Sequence, residues 1–499
     1  MICRCFALVS FMFVAVILAG CPQTPPAGTD SAKKSAEAPK PEADLAADDA
    51  AAADEAADVS EPVDASDASA GSKSDATASK DAASQDTAAP GTSESAASEA
   101  AGAEAKDNPE DIAAFEEAGA VLTRNDAGQV VALAASKAYA LSDDQLAHLA
   151  GLPHLKSIDI ESTQLTDACV PHLAGLTGLD TLSLMNTSIT DAGLEELTAL
   201  KNLRELSLRR SNISGEGLRY IQEFPQLERL ILLYSNVTDD GLGYLSELDN
   251  LRLIDIRGCF LVSDYGLEHL EGLSKLRALK IRSPQVGDTG LEYVGKLTNL
   301  GSLILEDTQI SDYGMEYLAP LTNLTELVLF RTGVADEGMK SVEGMTKLRT
   351  LNIRDTGVGD AGLAHIAGLK ELRTLNLQET HVGDEGLAQL AGLNNLERLY
   401  LWHIEATDAG IANLSGLKSL KVLDLKDIDL TNDALVHLEG LENLVELDLS
   451  ENPLNDEGRV HLTGLKKLAK LDVTLTDITP EGVAKLKESL PNLQVSYDR

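Results

Sequence analysis

LDTLSLMNTSITDAGLEELTALKN at 179–202 and LRTLNLQETHVGDEGLAQLAGLNN at 372–395 are two copies of one 24-residue phrase. Counted from Leu155, the phrase L-x-x-L-x-L-x-x-T-x-[IVL]-[TSG]-D-x-G-L-x-x-L-x-x-L-x-x recurs fourteen times, and only two copies carry an extra residue. A period this regular means one supersecondary unit per copy, with the units stacked into a solenoid. L-x-x-L-x-L alternates apolar and variable residues, the pattern of a strand with one buried face. [TS]-D-x-G-L-x-x-L opens a short helix, in which Thr190, Thr238, Ser311, Thr407 and Thr431 fit the N-cap. The Asp that follows most caps (Asp191, Asp239, Asp312, Asp408) sits in the first turn and suits the positive helix end. The last copy reads Thr479-Pro480-Glu481, with Pro at the first helical position, where its missing N–H costs nothing.

The consensus resembles the leucine-rich repeat family over residues 130–499. The resemblance implies an α/β fold: a right-handed horseshoe with a parallel β-sheet on the concave face and short helices on the convex face. The family's usual Asn in column nine is mostly Thr or Ser here (Thr163, Thr187, Ser211, Ser235, Thr308, Thr332, Thr356, Thr380). A hydroxyl can still bond the turning backbone, whereas Pro284, Ile404 and Ile428 cannot, so those coils should be irregular. Each copy buries six or seven apolar side chains, at about 1.5–3 kcal/mol apiece before entropy is subtracted. No copy is stable alone, so the ends need caps. Gly119–Leu133 holds two apolar runs around Asn125-Asp126-Ala127-Gly128, a hairpin signal, and 130–154 reads as a degenerate repeat.

The chain before the repeats has two parts. Arg4, an apolar run from Phe6 to Leu18, and Leu18-Ala19-Gly20-Cys21 make a segment too short for a membrane span. It resembles a bacterial lipoprotein signal, which implies cleavage after residue 20 and a lipid on Cys21. Pro22 stands where some such proteins carry an inner-membrane retention Asp, which points to an outer membrane or cell surface. Residues 21–110 are rich in Ala, Ser, Asp, Glu, Pro and Gly, with 20 Asp and Glu against 6 Lys in 22–110. Such a stretch cannot bury enough apolar surface to offset its ordering entropy. It reads as a self-repelling tether averaging roughly 50 Å end to end. The domain plan is therefore a signal (1–20), a tether (21–110), a cap with a degenerate repeat (111–154), fourteen repeats (155–492) and a terminal strand (493–499).

A net charge of −39 argues against nucleic acid and anionic membrane as partners, leaving membrane contact to the lipid anchor alone. The chain shows no HExxH, GxSxG, P-loop, paired CxxC or EF-hand loop, so no enzyme activity and no cofactor is expected. His172, His269, His365, His437 and His461 share one convex-helix register with Tyr220, Tyr244, Tyr293 and Tyr317, which marks a packing site. Cys169 and Cys259 lie four copies apart, on the order of 19 Å, too far for a disulfide.

Columns three, five, seven and eight should point out of the concave sheet. In the third to sixth copies they hold Arg209, Arg210, Arg229, Arg257, Lys280 and Arg282 against Glu205 and Asp255. This reads either as an anion-seeking patch or as a solvated polar sheet. In the last three copies they hold Asp424, Asp427, Glu446, Asp448, Glu451 and Asp472 against Lys426 and Lys470. The Asp424–Asp448–Asp472 column could clamp a hard cation, although Ca²⁺ asks for six or more oxygens. Tyr234, Phe330, Tyr400 and the sole tryptophan, Trp402, fall at outward positions with Ile231, Leu233 and Val328. Exposed aromatics are common interface anchors. Two anchors are expected: Trp402 with Tyr400 and His403, and Tyr234 flanked by Arg209 and Arg257. The reading that results is a surface-anchored, non-catalytic lipoprotein that binds a protein through its concave face. The alternative is a structural or adhesive envelope protein, with polysaccharide as a further class of ligand. The helix-opening segments also resemble repeats of eukaryotic F-box adaptors, a likeness that extends to fold only.

Overall fold

A computed structural model describes residues 106–135 and 141–497. The signal segment, Cys21 and nearly all of the tether lie outside the described residues. Helix α1 (Pro109–Glu117) comes first, its N-cap Asn108 accepting from the Glu110 N–H. Strands β1 (Val121–Arg124) and β2 (Val130–Ala135) then form an antiparallel hairpin, turned at Gly128 with φ +80°. From β3 (Ser157–Glu161) to β16 (Lys470–Asp472) each repeat contributes one strand, and β17 (Gln494–Ser496) ends the series. Every neighbour after the hairpin pairs in parallel, so seventeen strands lie in chain order in one open sheet. Short α or 3₁₀ helices return the chain on the opposite side, as in Asp191–Leu197 and Glu216–Glu223. The fold is the α/β horseshoe.

The repeats are numbered here as coils 1 to 14 from Leu155. The leucine columns fill the space between sheet and helices. In coil 10, Leu372, Leu375, Leu377, Val382, Leu387, Leu390 and Leu393 are all fully buried. Each belongs to a column that repeats above and below, so the core is one continuous stack that no coil completes alone.

The Asp of the repeat does more than suit a helix end. Its carboxylate crosses to the next coil and accepts from that coil's cap residue. Asp167 takes the Thr190 N–H at 2.8 Å and its hydroxyl at 2.6 Å. Asp384 holds Thr407 in the same way, at 2.8 Å for both, and Asp456 holds Thr479 at 2.8 and 2.7 Å. The cap hydroxyl in turn accepts from its own helix, as Thr190 does from Ala192. This ladder begins in the degenerate repeat, where Asp143 holds Thr166.

It also explains the glycine two residues after the Asp. A Cβ at Gly362 would stand 2.7 Å from Asp336 Oδ1, and one at Gly193 or Gly410 would collide with Asp167 or Asp384. Coil 3 breaks the ladder. Gly215 replaces the Asp, and the Thr238 side chain closes into the space a Cβ would need.

The turn out of each strand was not legible in the sequence. Column eight has positive φ in twelve of the fourteen coils, among them Asn186 (59°), Tyr234 (57°), Gly258 (75°), His403 (56°) and Leu475 (55°). The strained residue is held by the next coil: Tyr234 N–H donates to Arg257 O at 2.9 Å, and Glu379 N–H to Trp402 O at 2.9 Å. Coils 1 and 6 take another path. Ser162 and Ser283 turn inward and donate to Leu141 O and Val262 O, leaving Thr163 and Pro284 exposed. Pro284 disfavours the helical region at the residue before it, which keeps Ser283 extended. The irregularity expected there is real, but the inner hydroxyl is supplied one column early. At Ile428 the next coil compensates. Asn452 Oδ1 accepts from the Ile428 and Leu430 N–H groups, and Asp429 adopts a second positive φ of 56°.

Candidate interaction surface

The strand side of the sheet presents columns three, five, seven and eight, and their exposure differs from the expectation. Leu233 is 3% exposed, Val328 7% and Phe330 7%, so these three are buried on the concave side. Neighbouring long side chains cover Phe330. Arg331 and Arg354 place their guanidinium carbons 4.7 and 5.1 Å from the Phe330 ring centre. Arg354 also lies 5.3 Å from the Trp402 ring centre, and Lys426 Nζ lies 5.4 Å from it. The intervening Gln378 turns aside to donate to Asp424 at 2.8 Å, which lets coils 9 and 11 meet across coil 10. Phe330, Arg354, Trp402 and Lys426 therefore form one alternating stack along column seven. Trp402 is half-buried rather than free-standing, and its indole N–H is shielded without a hydrogen-bond partner among the described residues. Tyr400 is also half-buried, and burial raises its phenol pKa. His403 is exposed, with Nδ1 3.1 Å from Asp427 Oδ2 and its ring 6.2 Å from that of Trp402.

The second anchor is built around an absent side chain. A Cβ at Gly258 would collide with the Tyr234 ring, which occupies that space. Lying across Gly258, Tyr234 brings its hydroxyl to 3.3 Å from Arg282 Nη1, two coils on. Arg210, which is exposed, sits 5.1 Å from the same ring. Arg209 is half-buried one column away. Arg210 and Arg282, neither expected as flanks of this ring, approach Tyr234, and the Arg257 backbone carbonyl accepts its N–H at 2.9 Å.

The basic stretch is largely balanced by acids. Arg229 pairs with Glu205 at 3.1 Å, Arg257 with Asp255 at 3.0 Å, and Arg282 with Asp307 at 2.6 Å. Coil 7 supplies Glu306 and Asp307, which a count over coils 3 to 6 leaves out. Arg331 continues the alternation, 3.2 Å from both Asp307 and Asp355. Glu306 is 5% exposed, and burial raises its carboxyl above the ordinary range against the pull of Arg257 and Arg282.

The acidic column does not converge on a cation. Asp424, Asp448 and Asp472 each accept from the N–H two residues on, of Lys426, Ser450 and Thr474, at 3.0, 2.9 and 2.8 Å. Column five thus caps its own strand end. Burial raises the Asp424 pKa, offset by the Lys426 N–H and Gln378, with Asp448 adding repulsion. Among the described residues no group of three His, Cys, Asp or Glu is arranged to hold a metal ion. Cys169 stands in the glycine column and Cys259 in column nine, where its Sγ donates to Leu232 O. Both are free and buried, and burial above all pushes each thiol up to about 12, which leaves it protonated and inert. Of the convex histidines, His365 and His461 pair with Glu343 and Glu439 at 2.6 Å.

Arg331, Arg354, Gly258 and Glu306 complete these clusters and were not singled out from the sequence, and Lys426 was noted only as a cation among the acids of the last copies. Reading column seven vertically shows Phe330, Arg354, Gln378, Trp402 and Lys426 in succession, so the signal was present. What no column shows is that Gln378 turns away.

Six segments, 199–221, 321–342, 344–367, 370–391, 440–462 and 464–487, match the sequence model of the leucine-rich repeat. The solenoid is a leucine-rich repeat domain. Solved leucine-rich repeat structures similar to this chain include an internalin from Listeria monocytogenes, 22% identical, covering 79% of this chain and 95% of that one with a TM-score of 0.41. A leucine-rich repeat protein of Leptospira interrogans is 19% identical over 72% of this chain and 93% of its own, at a TM-score of 0.49. The ectodomain of a plant membrane receptor kinase from Arabidopsis thaliana, in complex with Casparian strip integrity factor 2, is 18% identical at a TM-score of 0.42. That match covers 70% of this chain and 50% of the ectodomain. No curated protein matches the chain. Leucine-rich repeats generally mediate protein–protein interaction.

Proposed function

We propose that this leucine-rich repeat chain is a lipid-anchored, non-catalytic module of the bacterial cell envelope that binds a protein through its concave face. The observation that carries the reading is the shielded, unpartnered indole N–H of Trp402 within the Phe330–Arg354–Trp402–Lys426 stack. A buried donor without an acceptor costs about 1–3 kcal/mol. A ligand carbonyl or carboxylate that parts the covering side chains and meets it recovers that cost. The cations on either side hold the indole in place, so little side-chain entropy is lost on binding. Because the cations already occupy the ring's surroundings, the site suits an edge-on polypeptide acceptor better than a stacked sugar. Chemical cross-linking on intact cells identifies the partner. Binding of that partner by the Trp402→Ala chain should fall more than tenfold, the scale of an interface hot spot. Undiminished affinity removes this face from consideration.

The anchor rests on the lipoprotein-like segment that ends at Cys21. Substituting Cys21→Ser should move the chain from the membrane fraction to the soluble one; a variant that stays with the membrane sinks the anchor. A second reading, a structural or adhesive envelope layer, is favoured by one observation: Arg229, Arg257 and Arg282 spend their charge on neighbouring acids.

A further inference from the structure

The helical face of coils 3 to 7 carries six of the chain's ten tyrosines: Tyr220, Tyr244, Tyr265, Tyr293, Tyr313 and Tyr317. Four of them, with His269, fill one helix column over five consecutive coils. The other two project into solvent, Tyr265 at 76% and Tyr313 at 63% exposure. Around them, residues 214–223, 238–247, 263–272, 287–296 and 311–320 hold twelve carboxylates and two cations, Arg219 and Lys296. Both cations are seated on tyrosine rings. Arg219 lies 4.7 Å from the Tyr220 ring centre and donates to its hydroxyl, which donates to Glu195 of the preceding coil at 2.8 Å. Lys296 lies 5.1 Å from the Tyr293 ring centre and bridges to Glu271 of the preceding coil at 2.7 Å.

The same pair of groups recurs where no cation is seated among the described residues. The Tyr244 hydroxyl reaches Glu216 at 3.5 Å. Tyr313 meets Tyr317 edge to face at 6.0 Å, with Glu316 beside them in the sequence. Burial, and then the charges of Glu268 and Glu292, hold the Tyr293 phenol above its ordinary pKa, so the strip presents neutral rings in a negative field.

We propose that this tyrosine–carboxylate strip is an interaction surface for a lysine- and arginine-rich polypeptide segment. A cation over a ring gains from the negative face of the π-system, and the adjacent carboxylate supplies the ion pair. Lys296 displays that mode of binding within the chain, and Arg219 displays a variant in which the ring hydroxyl joins the cation to the carboxylate. An extended basic segment would repeat it at Tyr244, Tyr265 and the Tyr313–Tyr317 pair. The surface lies on the opposite side of the sheet from the concave face and does not depend on a ligand there.

The test uses the whole chain and a fluorescent octa-arginine peptide at physiological salt. Hydroxyl-radical footprinting should show protection within residues 216–317 of the helical face. The double variant Tyr265→Ser and Tyr313→Ser, which leaves every charge in place, should bind on the order of tenfold more weakly, and Tyr265→Phe with Tyr313→Phe should keep its affinity. Both rings are exposed, and an unchanged melting temperature verifies the fold of each variant. Equal affinity in the Ser variant would mean that net charge alone attracts the peptide, which overturns the proposal. Protection centred on the acidic end of the concave face overturns it as well.

Discussion

At residue scale two positions decide how the concave face is arranged. Gly258 has φ +75° and its missing side chain is the seat of the Tyr234 ring. Substitution Gly258→Ala should destabilise the domain by about 1–3 kcal/mol through left-handed strain and overpacking. A thermal melt measures it, and a neutral outcome means that Tyr234 is free to leave. Glu306 is the other. Its native pKa is raised by burial, so the folded chain holds that proton more tightly than the unfolded one. The stability linked to it is therefore complete below the ordinary glutamate pKa and is lost as pH rises through the native value. Melting temperature should fall with rising pH across that window, and Glu306→Gln, neutral throughout, should reduce the slope and melt higher at neutral pH. Identical pH profiles for the two chains would rule out this residue as the source. Asp424 is shifted in the same direction, so part of the slope should survive in the variant.

At the scale of elements, the joint between coils is the aspartate ladder. Leucine burial glues coils without orienting them, because apolar contact is not directional. The bidentate grip of Asp384 on Thr407 sets the rotation of one helix start against the next. Removing it by Asp384→Ala leaves the Thr407 N–H without its carboxylate and should cost about 1.5–3 kcal/mol, the scale of hydrogen bonds to a charged group. Hydrogen exchange should then quicken at the Thr407 cap and in the Asp408–Ile411 helix while the distant coils keep their protection. Uniform acceleration along the chain would show instead that the domain opens as a single unit. The break at Gly215 places a natural gap of this kind between coils 3 and 4, next to the Tyr234 cluster.

For the solenoid as a whole, the repetition of joints makes coils exchangeable in principle. Excision of residues 372–395, one whole coil, would bring Asp360 opposite Thr407 and Gly410 in matching columns. The shortened chain should fold cooperatively with one strand fewer. Excision of 372–383, half a coil, puts helix columns against strand columns and should leave the chain unfolded by circular dichroism. The concave stack would not survive the first deletion unchanged, since it depends on Arg354 and Trp402 lying two coils apart around Gln378. Fold tolerates the loss of a coil; the proposed site does not.

The parallel sheet was implied by the family resemblance. The period alone determined the stacked strands, the helix starts and the apolar columns, because each is a local pattern enforced fourteen times and local patterns are what a sequence displays. Thr190, Thr407 and Thr479 could be read as caps for that reason. The tertiary structure decided what crosses from one coil to another. The left-handed turn at column eight was hidden because only Gly258 of its twelve left-handed residues is a glycine, the others being Asn, Arg, Tyr, Asp, Glu, His and Leu, and the strain is borne by bonds from the next coil. The glycine of D-x-G-L is required by a carboxylate 26 residues earlier, a distance no local motif spans. Trp402 could be recognised as the sole tryptophan and placed on the concave face, but its burial between Arg354 and Lys426 depends on side-chain directions that stacking sets and the sequence does not carry.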